Sequence, residues 1–282
     1  MKMYASAEKF IEDASYRLQY LSSIVHPDTW QSMDVSKKPE MATHEVLNFS
    51  GSFVMPTTRL DYYQKMVQPN LPWADVHFET ERVSGQPINP GESWRIWPWG
   101  NSADKFRKAD QQFEHTYAER YWPKWAGRTP WGTLEGMPEW PADAEEHRGI
   151  RFKYGDLMDV VNLLIKHPLT RQAYLPIWFP EDTGVNEGQR VPCSLGYHFI
   201  RRGDHLHIGY WLRSCDFYRH FRDDVYLTIR LLLWVLDRLQ SGGANDWMEV
   251  KPGIYSMWVT SLHLFVNDYK KLYGNKDSNP GG

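Results

Sequence analysis

Cysteine is scarce in this chain, whose 282 residues contain only Cys193 and Cys215. Two cysteines cannot form a disulfide framework, and their spacing matches no common metal site, so we expect neither a disulfide-stapled fold nor a bound metal. A long hydrophobic run is also missing, because the most apolar window, 225–239, is interrupted by Arg230 and Asp237. That interruption argues against a membrane span.

Excess charge of one sign is missing as well, since 32 Lys and Arg residues face 35 Asp and Glu residues, for a formal net charge of -3. Binding to a nucleic-acid polymer usually requires a basic face, so we expect no such partner. The opening segment MKMYASAEKF contains no apolar run of signal-peptide length. These absences predict a soluble protein of the cytoplasm.

Aromatic side chains, by contrast, are abundant: 14 Trp, 16 Tyr and 12 Phe make up 15% of the chain. Many lie in segments rich in proline and glycine, such as NPGESWRIWPWGN and RYWPKWAGRTPWG. Because disordered chains are poor in aromatic residues, we predict ordered loops inserted at about 85–140 into a single domain that spans 1–274, followed by a disordered tail over 275–282. A flat ligand could stack on the tryptophans of these loops, although core packing explains most aromatic residues. The tryptophans concerned are Trp94, Trp97, Trp99, Trp122 and Trp125.

Hydrophobic periodicity predicts helices and strands that alternate without a regular βαβ rhythm, which favours an α+β fold. The predicted helices are 5–24, 72–83, 156–166, from Asp223 or Asp224 to Leu239, and 261–273. The predicted strands are 44–54, 173–179, 197–202, 206–212 and 254–259, with a Gly203-Asp204 hairpin turn between the third and fourth.

Cys193 and Asp224 are weak candidates when each is taken alone. A lone cysteine is more often an apolar filler than a nucleophile, although nearby Arg213 and Arg219 could lower the pKa of its thiol. Asp224 lies where an ordinary helix cap is expected. Arg213 followed by Ser214 at the end of a predicted strand suits a phosphate, and surface pairing of Arg213 with Asp204 or Asp216 explains it equally well.

The order and spacing of these residues are more informative. Cys193, then Arg213-Ser214-Cys215-Asp216 twenty residues on, then Asp224 eleven residues after Arg213, resembles the thymidylate synthase superfamily. The resemblance extends from about Tyr117 to Tyr269 and includes the segments HTYAERYWP, DLMDVVNLLIKHPLTRQAYLPIW, VPCSLGYHFIRRGDHLHIGYWLRSCDF, FRDD and SLHLF. It implies a mixed, largely antiparallel sheet flanked by helices, and a homodimer packed through that sheet.

The resemblance also implies roles for individual residues. Cys193 would add to C6 of a pyrimidine, Tyr117 would assist proton transfer at C5, and Asp216 and Trp97 would contact a folate. The nucleotide would be held by four further residues. These are Arg213 and Ser214 at the phosphate, Arg171 at the phosphate of the partner subunit, and His263 near the sugar.

Asp224 stands where thymidylate synthases carry asparagine. A carboxylate can accept from the 4-amino group of cytosine and, once protonated, can donate to N3, so aspartate favours cytosine over uracil. Phe221, Arg222 and Asp224 together resemble the deoxycytidylate and cytidylate hydroxymethylases, and Ser194 after the nucleophile agrees with that branch.

Three positions depart from the family pattern: Gln172 replaces an arginine of the phosphate motif, for which Arg59 could compensate, His198 replaces a glutamine, and Phe265 replaces a tyrosine that meets the 3′ hydroxyl. The acid that organises the catalytic water is one of three in the helix before Gly85, and we choose Glu81 over Asp75 and Glu79.

The sequence therefore predicts a (deoxy)cytidylate 5-hydroxymethyltransferase that uses 5,10-methylenetetrahydrofolate and no metal. A folate-dependent dCMP C5-methyltransferase and a catalytically degenerate binding module are the alternatives. The choice between CMP and dCMP stays open, and a phage that modifies its DNA and a bacterium that makes a nucleoside antibiotic would both need such an enzyme.

Overall fold

The computed structural model describes residues 1–30, 33–123, 155–179, 182–183, 190–242 and 245–274. Trp125, the part of the predicted loop insertions beyond residue 123, and the predicted tail over 275–282 lie outside these residues. None of the helices in the described part of the chain has both the length and the apolar character needed to cross a bilayer.

The described chain contains nine strands and eight α-helices. The strands are β1 (Lys2–Tyr4), β2 (Ser23–Val25), β3 (Thr29–Trp30), β4 (Met33–Asp34), β5 (Thr43–Val54), β6 (Tyr174–Pro176), β7 (Ser194–Arg202), β8 (His205–Asp216) and β9 (Lys251–Phe265). The helices are α1 (Ala7–Tyr20), α2 (Leu60–Val67), α3 (Trp73–His77), α4 (Gly100–Ala103), α5 (Tyr117–Tyr121), α6 (Leu157–Lys166), α7 (Arg222–Ser241) and α8 (Val266–Tyr273). Two π-helical turns, Phe78–Arg82 and Phe217–Phe221, follow α3 and precede α7.

The main sheet has seven strands in the order β1-β5-β9-β8-β7-β6, with β2 also paired to β5. Strands β8 and β9 are parallel, as are β1 and β5, and the other pairs are antiparallel. The short strands β3 and β4 form a separate pair. A mixed sheet flanked by helices confirms the predicted α+β class.

Helix α7 packs across the inner face of this sheet. It is buried on nearly every side, from Val225 and Tyr226 in its first turns to Leu239 near its end. A helix buried on most of its sides is a core helix, so α7 holds the side chains of its first turn in fixed positions.

Three predicted elements differ from the structure. The helix predicted over 261–273 begins only at Val266, because residues up to Phe265 pair with β5 on one side and β8 on the other. The helix predicted over 72–83 ends at His77 and continues as a π-helical turn, and the strand predicted over 173–179 has only three residues. Local pattern cannot reveal such two-sided strand pairing, which is set by tertiary structure.

The sheet brings the ends of several strands close together. Parallel pairing of β8 and β9 sets Ser214 beside Ser261 and Asp216 beside His263. The antiparallel hairpin returns the start of β7 to the end of β8, where Ser194 faces Leu212. The π-helical turn Phe217–Phe221 connects the end of β8 directly to the first turn of α7.

Candidate active site

Cys193 directly precedes β7 and is held against Arg213. The Arg213 backbone N–H donates to the Cys193 carbonyl at 2.9 Å, and Nη2 of Arg213 lies 4.0 Å from Sγ. The guanidinium also donates to the carbonyls of Pro192 and Val191 at 2.9 and 3.1 Å. Arg213 is therefore held beside the thiol, whereas Asp204 pairs with His205 and Asp216 with Arg219.

Burial raises the pKa of the Cys193 thiol, and the positive charge of Arg213 opposes that rise. The side chain keeps partial solvent contact, so a ligand can reach it. Cys215, in contrast, is buried inside the strand, and burial raises the pKa of its thiol strongly. Only Cys193 has the access and the cationic neighbour that a nucleophile needs.

A chain of hydroxyl groups connects Tyr117 to Asp224. The Tyr117 hydroxyl lies 3.0 Å from Oγ of Ser194, which lies 2.5 Å from the hydroxyl of Tyr210. The Tyr210 hydroxyl in turn donates to Oδ1 of Asp224 at 3.4 Å, while the Cys215 thiol contacts Oδ2 at 3.4 Å.

Asp224 does not cap its helix, because α7 continues from the π-helical turn and has no side-chain cap. Burial raises the pKa of Asp224 to about 6, with Arg82 acting in the opposite direction. Burial also raises the pKa of Tyr117 above its ordinary value. The preceding residue, Asp223, has different partners, since its carboxylate accepts from the backbone and side-chain amides of Asn70 at 2.8 and 2.7 Å.

Arg82 is a buried cation at the centre of the site that the sequence did not single out. Its guanidinium lies over the Tyr117 ring at 4.2 Å and donates to the Tyr121 hydroxyl at 3.3 Å. Its Nε donates to Nε2 of His77 at 2.9 Å. The local sequence carried no signal for Arg82, because its partners come from other parts of the chain and meet it only in the fold.

Glu81 is buried beside Arg82. Its carboxylate accepts from the backbone N–H of Ser93 and from Nδ1 of His77, both at 2.8 Å. Burial alone would raise the pKa of Glu81, but these hydrogen bonds outweigh it and the pKa lies below its ordinary value. Since Nε2 of His77 accepts from Arg82, the proton of this imidazole belongs on Nδ1, which donates to Glu81.

The other two candidate acids, Asp75 and Glu79, bind the side chain of Arg230, a buried residue of α7. Asp75 accepts from Nη1 of Arg230 and, at 2.7 Å, from the Tyr226 hydroxyl. Glu79 accepts from Nη2 of Arg230 at 2.7 Å. Of the three candidate acids, Glu81 is thus the one linked to the Tyr117 side of the site, through His77 and Arg82.

An aromatic wall stands beside this network. Trp97 stacks on His220 with ring centroids 5.2 Å apart, and Trp73 stacks on His77 at 5.0 Å. Trp97 also contacts Trp73 and Trp99. The buried Nε1 of Trp97 has no hydrogen-bond partner among the described residues. A flat heterocycle suits this wall, because it can stack on the rings.

Three predicted residues lie near this network without joining it. Asp216 accepts from the backbone N–H groups of Tyr218 and Arg219 at 3.0 and 3.2 Å, so it holds the π-helical turn. His263 faces Asp216 across the strands, and burial lowers its pKa. Ser214 lies two residues before Asp216 on β8.

Arg171 is not brought to the site within one chain. It is exposed just before β6, and its backbone carbonyl accepts from Nε2 of His198 at 3.0 Å. Gln172 is exposed next to it, and Arg59 pairs with Asp61 on the surface. In the described part of the chain, no cluster of three acidic, histidine or cysteine side chains is placed to hold a metal ion.

Comparison with known proteins found relatives by sequence and by structure, although no family model matches the chain. A protein named "Putative thymidylate synthase" from Methanococcoides burtonii is 29% identical over 114 residues, which are 40% of this chain and 47% of that protein. A protein of the same name from Methanosarcina mazei is 25% identical over 160 residues, 56% of each chain. The chain thus spans about half the length of the curated relatives it matches.

The structural match is more extensive. Thermostable thymidylate synthase A from Bacillus subtilis aligns with a TM-score of 0.62 and 13% sequence identity, over 94% of this chain and 83% of that one. The alignment includes nearly every described element, so the fold expected from the sequence resemblance is confirmed. The protein has the fold of the thymidylate synthases.

Proposed function

We propose that the protein transfers a one-carbon unit from 5,10-methylenetetrahydrofolate to C5 of a cytidine monophosphate and releases the 5-hydroxymethyl product. The carboxyl group of Asp224 is the observation that carries the proposal. It lies close enough to Cys193 for its charge to raise the pKa of that thiol, and burial raises its own pKa to about 6. A carboxyl group that changes protonation near neutral pH can both accept from the 4-amino group of cytosine and donate to N3.

Cys193 begins the reaction as a thiolate that adds to C6 of the base. Arg213 stabilises the thiolate from 4.0 Å, and the bound phosphate would lie at the remaining donors of Arg213 and at Ser214. Asp224 gives its proton to N3 as the negative charge develops there, which makes C5 nucleophilic.

The folate supplies an electrophilic methylene group for C5. Trp97 and its aromatic neighbours support the pterin by stacking. Tyr117 then removes the C5 proton, assisted by Arg82, whose charge over the ring stabilises a phenolate.

Water then adds to the exocyclic methylene carbon and loses a proton, and the Cys193 thiolate leaves C6, which restores the ring double bond and releases the 5-hydroxymethyl product. Glu81 is held ionised by His77 and Ser93 and is the acid that we assign to ordering that water. A methyl product would instead require hydride from the folate. The presence of both Asp224 and Ser194 in the sequence favours the hydroxymethyl product, since the resemblance associates both residues with the hydroxymethylases.

A second copy of the chain is part of the proposal. On the outer face of the sheet, Trp258 of β9 is 40% exposed and lies beside Trp211 of β8, and Tyr174 of β6 is 41% exposed. Such an aromatic face on a soluble chain is typical of an interface. Arg171, exposed at the β6 edge, would reach the phosphate in the partner across that interface.

The test is a side-by-side assay of CMP, dCMP and dUMP with methylenetetrahydrofolate, in which the mass of each product is measured. A hydroxymethyl adduct on a cytidylate supports the proposal, whereas a methyl adduct or activity on dUMP alone contradicts it. Release of tritium from C5 of the cytidylate reports the thiolate addition separately. Cys193→Ser should abolish that release, and unchanged release would show that the nucleophile is misassigned.

A further inference from the structure

The hydroxyl groups of Ser194 and Tyr210 are not explained by substrate binding alone. Both residues are buried, at 0% and 1% exposure, on neighbouring strands of the sheet. Their oxygens lie in series between the hydroxyl of Tyr117 and Oδ1 of Asp224, with successive separations of 3.0, 2.5 and 3.4 Å. A leucine and a glycine would satisfy packing in such positions without creating a continuous polar path.

Elementary hydrogen bonding gives this path a direction. An ionised carboxylate can only accept, so Tyr210 donates to Asp224. Each hydroxyl has one proton, so the Tyr210 oxygen accepts from Ser194, and the Ser194 oxygen accepts from Tyr117. Every donor then points toward Asp224, which leaves lone pairs of the Tyr117 oxygen open to receive a proton. Hydrogen bonds arranged in series also strengthen one another.

We propose that Ser194 and Tyr210 form a proton relay that returns the C5 proton of the substrate to Asp224. The inference rests on the proposed function for the identity of the substrate. When the C5–H bond breaks, its electron pair forms the exocyclic double bond and expels the folate nitrogen, which takes a proton from solvent and leaves as a neutral amine. The proton binds to the Tyr117 oxygen, and one proton moves across each hydrogen bond until Asp224, which had given its proton to N3, is protonated again.

The surroundings keep the path intact. The Tyr210 ring stacks on Tyr197 with centroids 4.4 Å apart and planes at 7°, which fixes the direction of its hydroxyl. Arg82 lies over Tyr117 and favours release of the Tyr117 proton toward Ser194. Because Ser194 and Tyr210 are both buried, bulk water does not compete for these hydrogen bonds.

The relay predicts that removing the Ser194 hydroxyl changes the titration of Asp224, which Ser194 does not touch. We would follow the ¹³C-labelled carboxyl of Asp224 by NMR in the wild type, Ser194→Ala and Tyr210→Phe, with Tyr63→Phe as control. Tyr63 is an equally buried tyrosine whose hydroxyl donates to the Thr57 carbonyl. Loss of a donor to the charged form raises a carboxyl pKa, so both relay variants should raise it, Tyr210→Phe by about one unit. An unchanged titration in Ser194→Ala would overturn the relay.

Kinetics provide the second readout. Tyr210→Phe should lower kcat for C5 tritium release by roughly 10²- to 10⁴-fold and change KM much less, because the relay acts after binding. An unchanged kcat would overturn the relay. If the wild type is active and only the titration or kcat result fails, the proposed function stands without the relay. A wild type that releases no tritium from any cytidylate overturns the proposed function and the relay's part in it.

Discussion

Replacing Asp224 with asparagine should make the protein more stable at neutral pH, even though it should damage catalysis. The folded-state pKa of about 6 lies roughly two units above the ordinary value of 3.8, because the charged form is buried. Each unit corresponds to about 1.4 kcal/mol, so ionisation of Asp224 costs the fold up to about 3 kcal/mol at pH 8. Since the side chain keeps partial solvent contact, about 2 kcal/mol is the better expectation.

The sign of the pH dependence follows from the same values. Well below pH 3.8 the Asp224 carboxyl is protonated in both the folded and the unfolded state, so its burial carries no charge penalty. As pH rises from 4 to 6 the unfolded chain loses this proton before the folded one, so the free energy of unfolding of the wild type falls and then levels off. Asp224→Asn removes that loss, and its advantage over the wild type should grow between pH 4.5 and pH 7.

Urea unfolding at several pH values measures this difference directly. Asp223→Asn is the matched control, because the neighbouring carboxylate accepts two hydrogen bonds from Asn70. An amide turned toward those donors leaves a buried group unpaired and should destabilise by about 1–3 kcal/mol. Parallel stability curves for the wild type and Asp224→Asn across this pH range would refute the claim that the fold holds Asp224 at a cost.

Three further outcomes are expected. Arg213→Gln should slow alkylation of Cys193 by iodoacetamide at pH 8 roughly tenfold, since a cation 4.0 Å from Sγ is lost, and an unchanged rate would remove Arg213 from thiolate stabilisation. Trp258→Asp should convert a dimer into a monomer in sedimentation, and a persistent dimer would place the interface elsewhere. Gly91→Ala should lower stability by about 1–3 kcal/mol in thermal unfolding and displace Glu81, because a Cβ at Gly91 would overlap that carboxylate; an unaltered melting temperature would contradict the packing.

Sequence reasoning succeeded where a feature is encoded locally. The hairpin between β7 and β8 was predictable because Gly203, with φ of +58°, lies between two alternating segments. The spacing of Cys193, Arg213 and Asp224 was informative for a similar reason, since it reflects the fixed lengths of that hairpin and of the turn into α7.

Features set by packing were not predictable. Tyr210 occupies an inward position of a strand, where any large apolar residue would satisfy the pattern, so its hydroxyl carried no signal. Arg82 gains its place only when the π-helical turn Phe78–Arg82 meets α5. The extent of β9 depends on partners at both of its edges, which local periodicity does not report.

The burial of the Asp224 carboxyl also has a genetic consequence. Aspartate codons GAT and GAC become asparagine codons by one G-to-A transition. Because the fold buries the Asp224 carboxylate at a cost in stability, this transition is expected to increase the free energy of unfolding, so loss of stability does not select against it. If the proposed function holds, a lineage that stopped needing the cytosine product would be expected to lose Asp224 early, and retention of Asp224 would then indicate selection for base choice.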